Sequence, residues 1–143
     1  MAGAKRIRYQ YGCLPFKVVL GKQPLILLIT SRETGRWIVP KGRPERNRKA
    51  WQVAAQEAYE EAGVLGRVST KSVGAYPSIK RLRSGATVPC TVRLFLMEVD
   101  QELDDWPERS QRQRRWVSAI EAEQLVSEPN LAKLLTEFAA LWS

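Results

Sequence analysis

The stretch from Gly42 to Val64 constrains this chain more than any other. It is rich in alanine, holds neither Gly nor Pro between Lys49 and Ala62, and closes on Gly63, a pattern that reads as one helix. Three acids ride on it, Glu57, Glu60 and Glu61. Residues three and four apart share a helical face, so Glu60 and Glu61 both stand one turn above Glu57 and the three carboxylates can converge. Unpaired acids that close repel one another. A hard divalent cation removes the repulsion, and Mg2+ is typically held by a few carboxylates together with waters and the phosphates of a substrate. The competing reading, a solvated acidic face, conflicts with the charge order. A helix dipole disfavours acids near the C-terminus, yet here the start is basic (Arg46, Arg48 and Lys49 around Asn47 as the expected cap) and the end is acidic. Such inversions cost local stability and gather at functional sites.

The same residues carry a family resemblance. Gly42, five residues, Arg48, seven residues and then Gln56-Glu57-Ala58-Tyr59-Glu60-Glu61-Ala62-Gly63-Val64 resembles the Nudix box, Gly-x5-Glu-x7-Arg-Glu-U-x-Glu-Glu-x-Gly-U, with U apolar. Arg48 stands where the family has its first Glu, and Gln56 where it has an Arg that orients the carboxylates. Ser31-Arg32, Arg36-Trp37-Ile38-Val39-Pro40-Lys41-Gly42, Leu103-Asp104-Asp105-Trp106 and Arg112-Gln113-Arg114-Arg115-Trp116-Val117 are similar to the diphosphoinositol polyphosphate and diadenosine polyphosphate phosphohydrolase branch.

The resemblance implies an α/β/α sandwich with a mixed central sheet and a loop-helix-loop box. It also implies Glu57, Glu61 and the Gly42 carbonyl as metal ligands, Glu60 as general base, and Mg2+, with Mn2+ as an alternative, as the cofactor. Arg8, Ser31, Arg32, Lys41, Arg43 and Arg114 are the substrate contacts it suggests. The activity expected is divalent-metal-dependent hydrolysis of a phosphoric anhydride in a nucleoside polyphosphate, a dinucleoside polyphosphate or a diphosphoinositol polyphosphate. Gln56 donates hydrogen bonds but carries no charge, so it orients a neighbouring carboxylate less firmly than Arg would. Two alternatives follow: a Nudix-fold binding or regulatory domain with weakened catalysis, and a pyrophosphohydrolase acting on RNA 5' ends.

Composition narrows the choices. The chain has no histidine, which removes His-based triads and His metal ligands, and its two cysteines, Cys13 and Cys90, lie far apart in strand-like stretches where inert packing is the expected role. The net charge of +8 attracts anionic partners. No aromatic-rich strand pattern of an RNA-reading sheet accompanies it, which favours a small phosphate compound over nucleic acid. No apolar run approaches a membrane span. The first residues are too poor in apolar side chains for a secretion signal, so a cytoplasmic location is expected. A length of 143 residues suits one domain, taken as 9 to 143 after a basic, flexible lead-in over residues 1 to 8.

Along the chain, Tyr9 to Leu20 reads as a strand kinked or at an edge because of Gly12 and Pro15. Leu25 to Thr30 reads as a strand buried on both faces, and Trp37 to Val39 as a short one. Val64 to Tyr76 should form a strand stopped by Pro77, followed by a basic loop over Lys80 to Gly85 and a long strand over Thr87 to Val99. Asp100 to Arg115 is expected to cross the surface as a loop anchored by Trp106. After a short strand over Arg114 to Ser118, Ser118 should cap a helix, with Glu121 three residues on. A last helix over Pro129 to Trp142 carries an apolar stripe. Together these predict a mixed sheet between helices.

Overall fold

The computed structural model describes residues 8 to 142. Seven residues of the expected basic lead-in therefore lie outside the described residues. Eight strands form one mixed sheet, and three α-helices cover its two faces. The strands are β1 (Tyr9–Lys17), β2 (Leu25–Thr30), β3 (Trp37–Ile38), β4 (Lys41–Gly42), β5 (Val64–Val68), β6 (Gly74–Arg81), β7 (Thr87–Glu102) and β8 (Arg114–Ser118). The helices are α1 (Ala50–Glu57), α2 (Ala119–Leu125) and α3 (Pro129–Ala140). This is the α/β/α sandwich the sequence predicts.

At the centre β1 runs parallel to β7, from Tyr9 opposite Thr91 to Phe16 opposite Glu98. The other edge of β1 is shared, β4 pairing at Tyr11 and Gly12 and β2 at Phe16 and Lys17. Pro15 falls in the gap between these two partners. The Cys13 N–H on that edge bonds the Pro40 carbonyl at 2.9 Å, and by the alternation of strand amides the nitrogen of Pro15 faces the same edge, where no ladder bond is lost. The expectation of a kinked or edge strand is corrected accordingly: β1 is central and tolerates proline because its neighbour changes there.

Two apolar clusters flank the sheet. On one face Cys13, Leu27, Ile29, Phe95 and Met97 pack against Ala54, Ala58 and Ala62 of the box helix. On the other, Leu14, Ile26, Leu28, Val92 and Leu94 pack against Ala122, Leu131, Leu135 and Phe138 of α2 and α3. β2 is buried on both faces, as its unbroken apolar run requires. Both cysteines are buried and free, and burial pushes the thiol of each above its usual range.

Several element boundaries differ from the sequence reading. Val64 to Tyr76 holds two strands, and Pro77 lies inside β6 opposite Thr91 of β7. Among the described residues β6 pairs only with β7, so the amide that Pro77 lacks faces no second neighbour there. Lys80 and Arg81 belong to β6, and the expected basic loop narrows to the tight turn of the β6–β7 hairpin. The last helix buries Leu131, Leu135 and Phe138, whereas Leu141 lies beyond its end and is exposed. Ser118 caps α2 as predicted, its Oγ accepting from the Glu121 amide at 3.1 Å.

Candidate active site

The box helix is not one uniform α-helix. Lys49, not Asn47, is its N-cap, with the Lys49 amide donating to Gln52 Oε1 at 2.8 Å; Asn47 instead takes a left-handed φ of 69° in the preceding turn, a conformation its short side chain tolerates. After Glu57 the chain continues through Ala58–Ala62 as a π-helix and stops at Gly63, in left-handed conformation with φ 67°. Wider turns of this kind are rare and concentrate at functional sites.

The wider turn sorts the three glutamates. Glu57 and Glu61 come together, near enough for each carboxyl group to act on the other's proton affinity. Glu60 turns aside and accepts from Gln56 Nε2 at 2.9 Å. Among the described residues no three acids or cysteines stand close enough to form a ready-made metal cage. The predicted three-way convergence is therefore corrected to a pair with Glu60 alongside, near enough for its charge to act on Glu57.

Gly42 explains how the pair fits. β4 sets Gly42 on the α1 face of the sheet, and a Cβ there would collide with the Glu57 carboxylate. The neighbouring Lys41 amide donates to Glu61 Oε1 at 3.2 Å. Burial, above all, holds both carboxyl groups above their ordinary range; for Glu61 the Arg112 guanidinium opposes that rise and the Glu57 carboxyl adds to it. Two neighbouring buried carboxyl groups with raised proton affinity, all-oxygen donors and a cradle kept clear by glycine form a set that a hard divalent cation suits.

The segment after β7 closes over this helix end. The carbonyl of Glu60 accepts from the Glu108 amide at 3.0 Å, and that of Glu61 from Trp106 Nε1 at 3.1 Å. Arg114 Nη1 donates to Ala62 O at 3.0 Å, and the Leu103 amide to Gly63 O at 2.8 Å. Trp106 is thus the anchor the sequence predicts, and the carbonyls it helps to satisfy are those a helix end leaves without partners. Arg112 and Arg114 put positive charge where the helix dipole and the glutamates put negative charge, which resolves the inverted charge order.

Of the substrate contacts suggested by resemblance, Arg114 is given different work. Its guanidinium stacks 4.0 Å from the Trp106 ring centroid, donates to Ala62, Gly63 and Leu103 carbonyls and lies 3.6 Å from Glu102, leaving it committed to the helix end. Ser31 Oγ lies 2.5 Å from Thr34 Oγ1 and accepts from the Thr34 and Arg36 amides, so it shapes the 31–36 turn. The Lys41 side chain leaves the acid pair for Ser78, at 3.5 Å. Arg8 is exposed beside Thr91, whose amide bonds its carbonyl. Arg43 is exposed next to Gly42, and Arg32 reaches Gln111 at 3.2 Å and Glu108 at 3.9 Å, at the rim of the site.

Arg112 is the residue that sequence reasoning missed. Its side chain is 6% exposed, lies 3.6 Å from Glu61 Oε2, and donates to Glu108 Oε1 and Thr30 O, both at 2.9 Å. Removing one partner of such a buried pair typically costs about 3–5 kcal/mol. The signal available was its two-residue spacing from Arg114, which places both on one side of an extended segment.

A mixed sheet between helices, with an acid pair at the end of a helix entered through a glycine loop, defines the class: an α/β/α sandwich with a loop-helix-loop site. Residues 16–138 match the NUDIX domain family model. The chain is 30% identical over 143 residues to Nudix hydrolase 16, mitochondrial, of Arabidopsis thaliana, with 92% of this chain and 79% of that protein covered. It is 29% identical over 100 residues to diphosphoinositol polyphosphate phosphohydrolase 2 of Rattus norvegicus, with 68% and 51% covered. Among solved structures, Ap4A hydrolase of C. elegans superposes with a TM-score of 0.72 at 18% identity, covering 96% of this chain and all of that one, a likeness of fold. The chain belongs to the Nudix family, as a Nudix-type pyrophosphohydrolase.

Proposed function

We propose that the chain hydrolyses a phosphoric anhydride bond in a nucleoside polyphosphate, a dinucleoside polyphosphate or a diphosphoinositol polyphosphate with the help of a divalent cation, Mg2+ or Mn2+. The observation that carries this reading is the Glu57–Glu61 carboxyl pair seated over Gly42. Glu57, Glu61 and the Gly42 carbonyl would hold the ion. When bound, the ion supplies neutralisation of phosphate charge that otherwise repels an incoming oxygen. Glu60, standing outside the pair, accepts the proton of the attacking water as its oxygen bonds to phosphorus and the bridging P–O bond breaks.

Substrate charge is met at the rim. Arg32 is 57% exposed and its contacts to Gln111 and Glu108 are weak surface contacts, readily exchanged for phosphate. Arg43 is exposed beside Gly42, and Arg suits phosphate because its fork binds two oxygens at once. Arg8 lies farther along the β1 edge and would extend the same basic surface.

A weakened, ligand-binding domain is the second reading, and Arg48 and Gln56 favour it. The structure has these two departures from the box touching each other, Arg48 Nη1 donating to Gln56 Oε1 at 3.5 Å. Their exchange is mutual and leaves the Glu57–Glu61 pair intact, which weighs toward catalysis.

Phosphate release from a panel of dinucleoside polyphosphates, nucleoside polyphosphates and diphosphoinositol polyphosphates, in Mg2+ or Mn2+, tests the proposal. Turnover of at least one compound, abolished by Glu60→Gln and by Glu61→Gln, is expected; binding without turnover across the panel would leave the ligand-binding reading in its place. Arg32→Glu should raise KM for a polyanionic inositol compound far more than for a simple dinucleotide.

A further inference from the structure

Glu61 needs something to hold it. It is buried, it stands beside a second carboxyl group, and Gln56, at the position where the box motif carries an arginine, is turned to Glu60 instead. The guanidinium that reaches Glu61 comes from a different part of the chain. Arg112 lies in the segment between β7 and β8, and two fixed acceptors hold it, Glu108 Oε1 at 2.9 Å and the Thr30 carbonyl at 2.9 Å, so that its guanidinium stands as an ion-pair partner 3.6 Å from Glu61 Oε2. Glu108 is itself tied to the same helix end, its amide donating to the Glu60 carbonyl at 3.0 Å. The geometry is a closed circuit, from helix backbone through Glu108 and Arg112 back to the helix carboxylate.

We infer that Arg112 is a positioning residue for the divalent cation site, fixing the Glu61 carboxylate so that it faces Glu57, a task that Gln56 does not perform in this chain. Charge alone is not what Arg112 supplies. Lysine at this position has one nitrogen to offer and cannot span Glu61, Glu108 and the Thr30 carbonyl together, whereas the guanidinium fork does so without moving. The inference rests on the reading of Glu57 and Glu61 as metal ligands and adds the residue that aims one of them.

The test is Mn2+ binding without substrate, measured as free Mn2+ by electron paramagnetic resonance on the full chain, alongside kinetics on the best compound of the phosphate panel. R112Q should weaken Mn2+ binding at least tenfold and lower kcat with KM for substrate little changed; R112K should fall between R112Q and the parent. Two controls separate positioning from charge and from stability. R115Q removes one charge at an exposed arginine paired with Glu121 and should bind Mn2+ as the parent does. S118A removes the cap of α2 and lowers thermal stability, again without moving Mn2+ affinity. Parent-like Mn2+ affinity in folded R112Q overturns the inference while leaving the metal reading intact. A parent chain that binds no Mn2+ overturns both. Should R112Q fail to fold, R112K decides: affinity equal to the parent's rejects the positioning role, and a loss supports it.

Discussion

At the scale of single residues, the site depends on atoms that are missing as much as on those present. Gly42 has ordinary backbone freedom to spare, and its value lies in the side chain it lacks, because a Cβ would occupy the space of the Glu57 carboxylate. Gly42→Ala is therefore expected to lower kcat by about 100-fold, the usual size of a misplacement near 1 Å, while circular dichroism shows a folded chain. The Arg48–Gln56 contact makes a second prediction. Gln56→Arg would orient the neighbouring carboxylate more firmly, but alone it brings a guanidinium against Arg48, so a gain in turnover should emerge fully only with Arg48→Glu in the same chain. That double variant restores an exposed ion pair and should raise kcat by about two- to fivefold over the parent. Steady-state kinetics of the two singles and the double settle this, and equal rates in all would show that the helix surface does not act on the carboxylates. Glu57 and Glu61 were legible as neighbours because spacing on a helix is regular, and Gly42 through the family resemblance. Arg112 was not, because the partner it needs lies some fifty residues earlier and only the folded chain joins them.

At the scale of elements, the box helix and the segment that follows β7 form one unit. Gly63 ends the helix with φ 67°, and a Cβ there would run into Trp106 and the Arg114 guanidinium. Gly63→Ala combines both faults. Left-handed backbone alone costs about 1–2 kcal/mol for a residue with a side chain, and the collision adds to it, so urea denaturation should show a loss at or above that range. Trp106→Phe keeps the ring and removes the indole donor to Glu61 O, with an expected loss of about 1 kcal/mol. The sequence announced most elements through period and punctuation: β2 by its apolar run, α2 by its Ser118 cap, α3 by its stripe. It misplaced those decided by neighbours. Pro77 looked like a stop because the sequence does not say that β6 has a partner on one side only among the described residues, and the segment over 103 to 113 looked like a surface loop anchored by Trp106 alone because many of its hydrogen bonds go to backbone, which leaves no mark in side-chain pattern.

At the scale of the whole molecule, the acid pair couples stability to protons and, if it holds the proposed cation, to metal. Burial raises Glu61 from its ordinary 4.5, and Glu57 in the same direction, so above that pH the folded chain holds protons that the unfolded chain has released. Stability without metal is then greatest below about pH 4.5 as far as this pair is concerned, and declines as pH rises through the raised values of the folded state. A cation held there, as proposed, would replace the protons. Melting curves should show Mg2+ raising Tm more near pH 8 than near pH 5, with the difference abolished in Glu61→Gln; equal shifts at both would mean the ion binds elsewhere. The order of elements along the chain has a consequence of its own. Every glutamate of the box is translated before residue 62, but Trp106, Glu108, Arg112 and Arg114 emerge about forty to fifty residues later, so a nascent polypeptide halted on the ribosome ahead of them would display all its acids and still lack a competent centre.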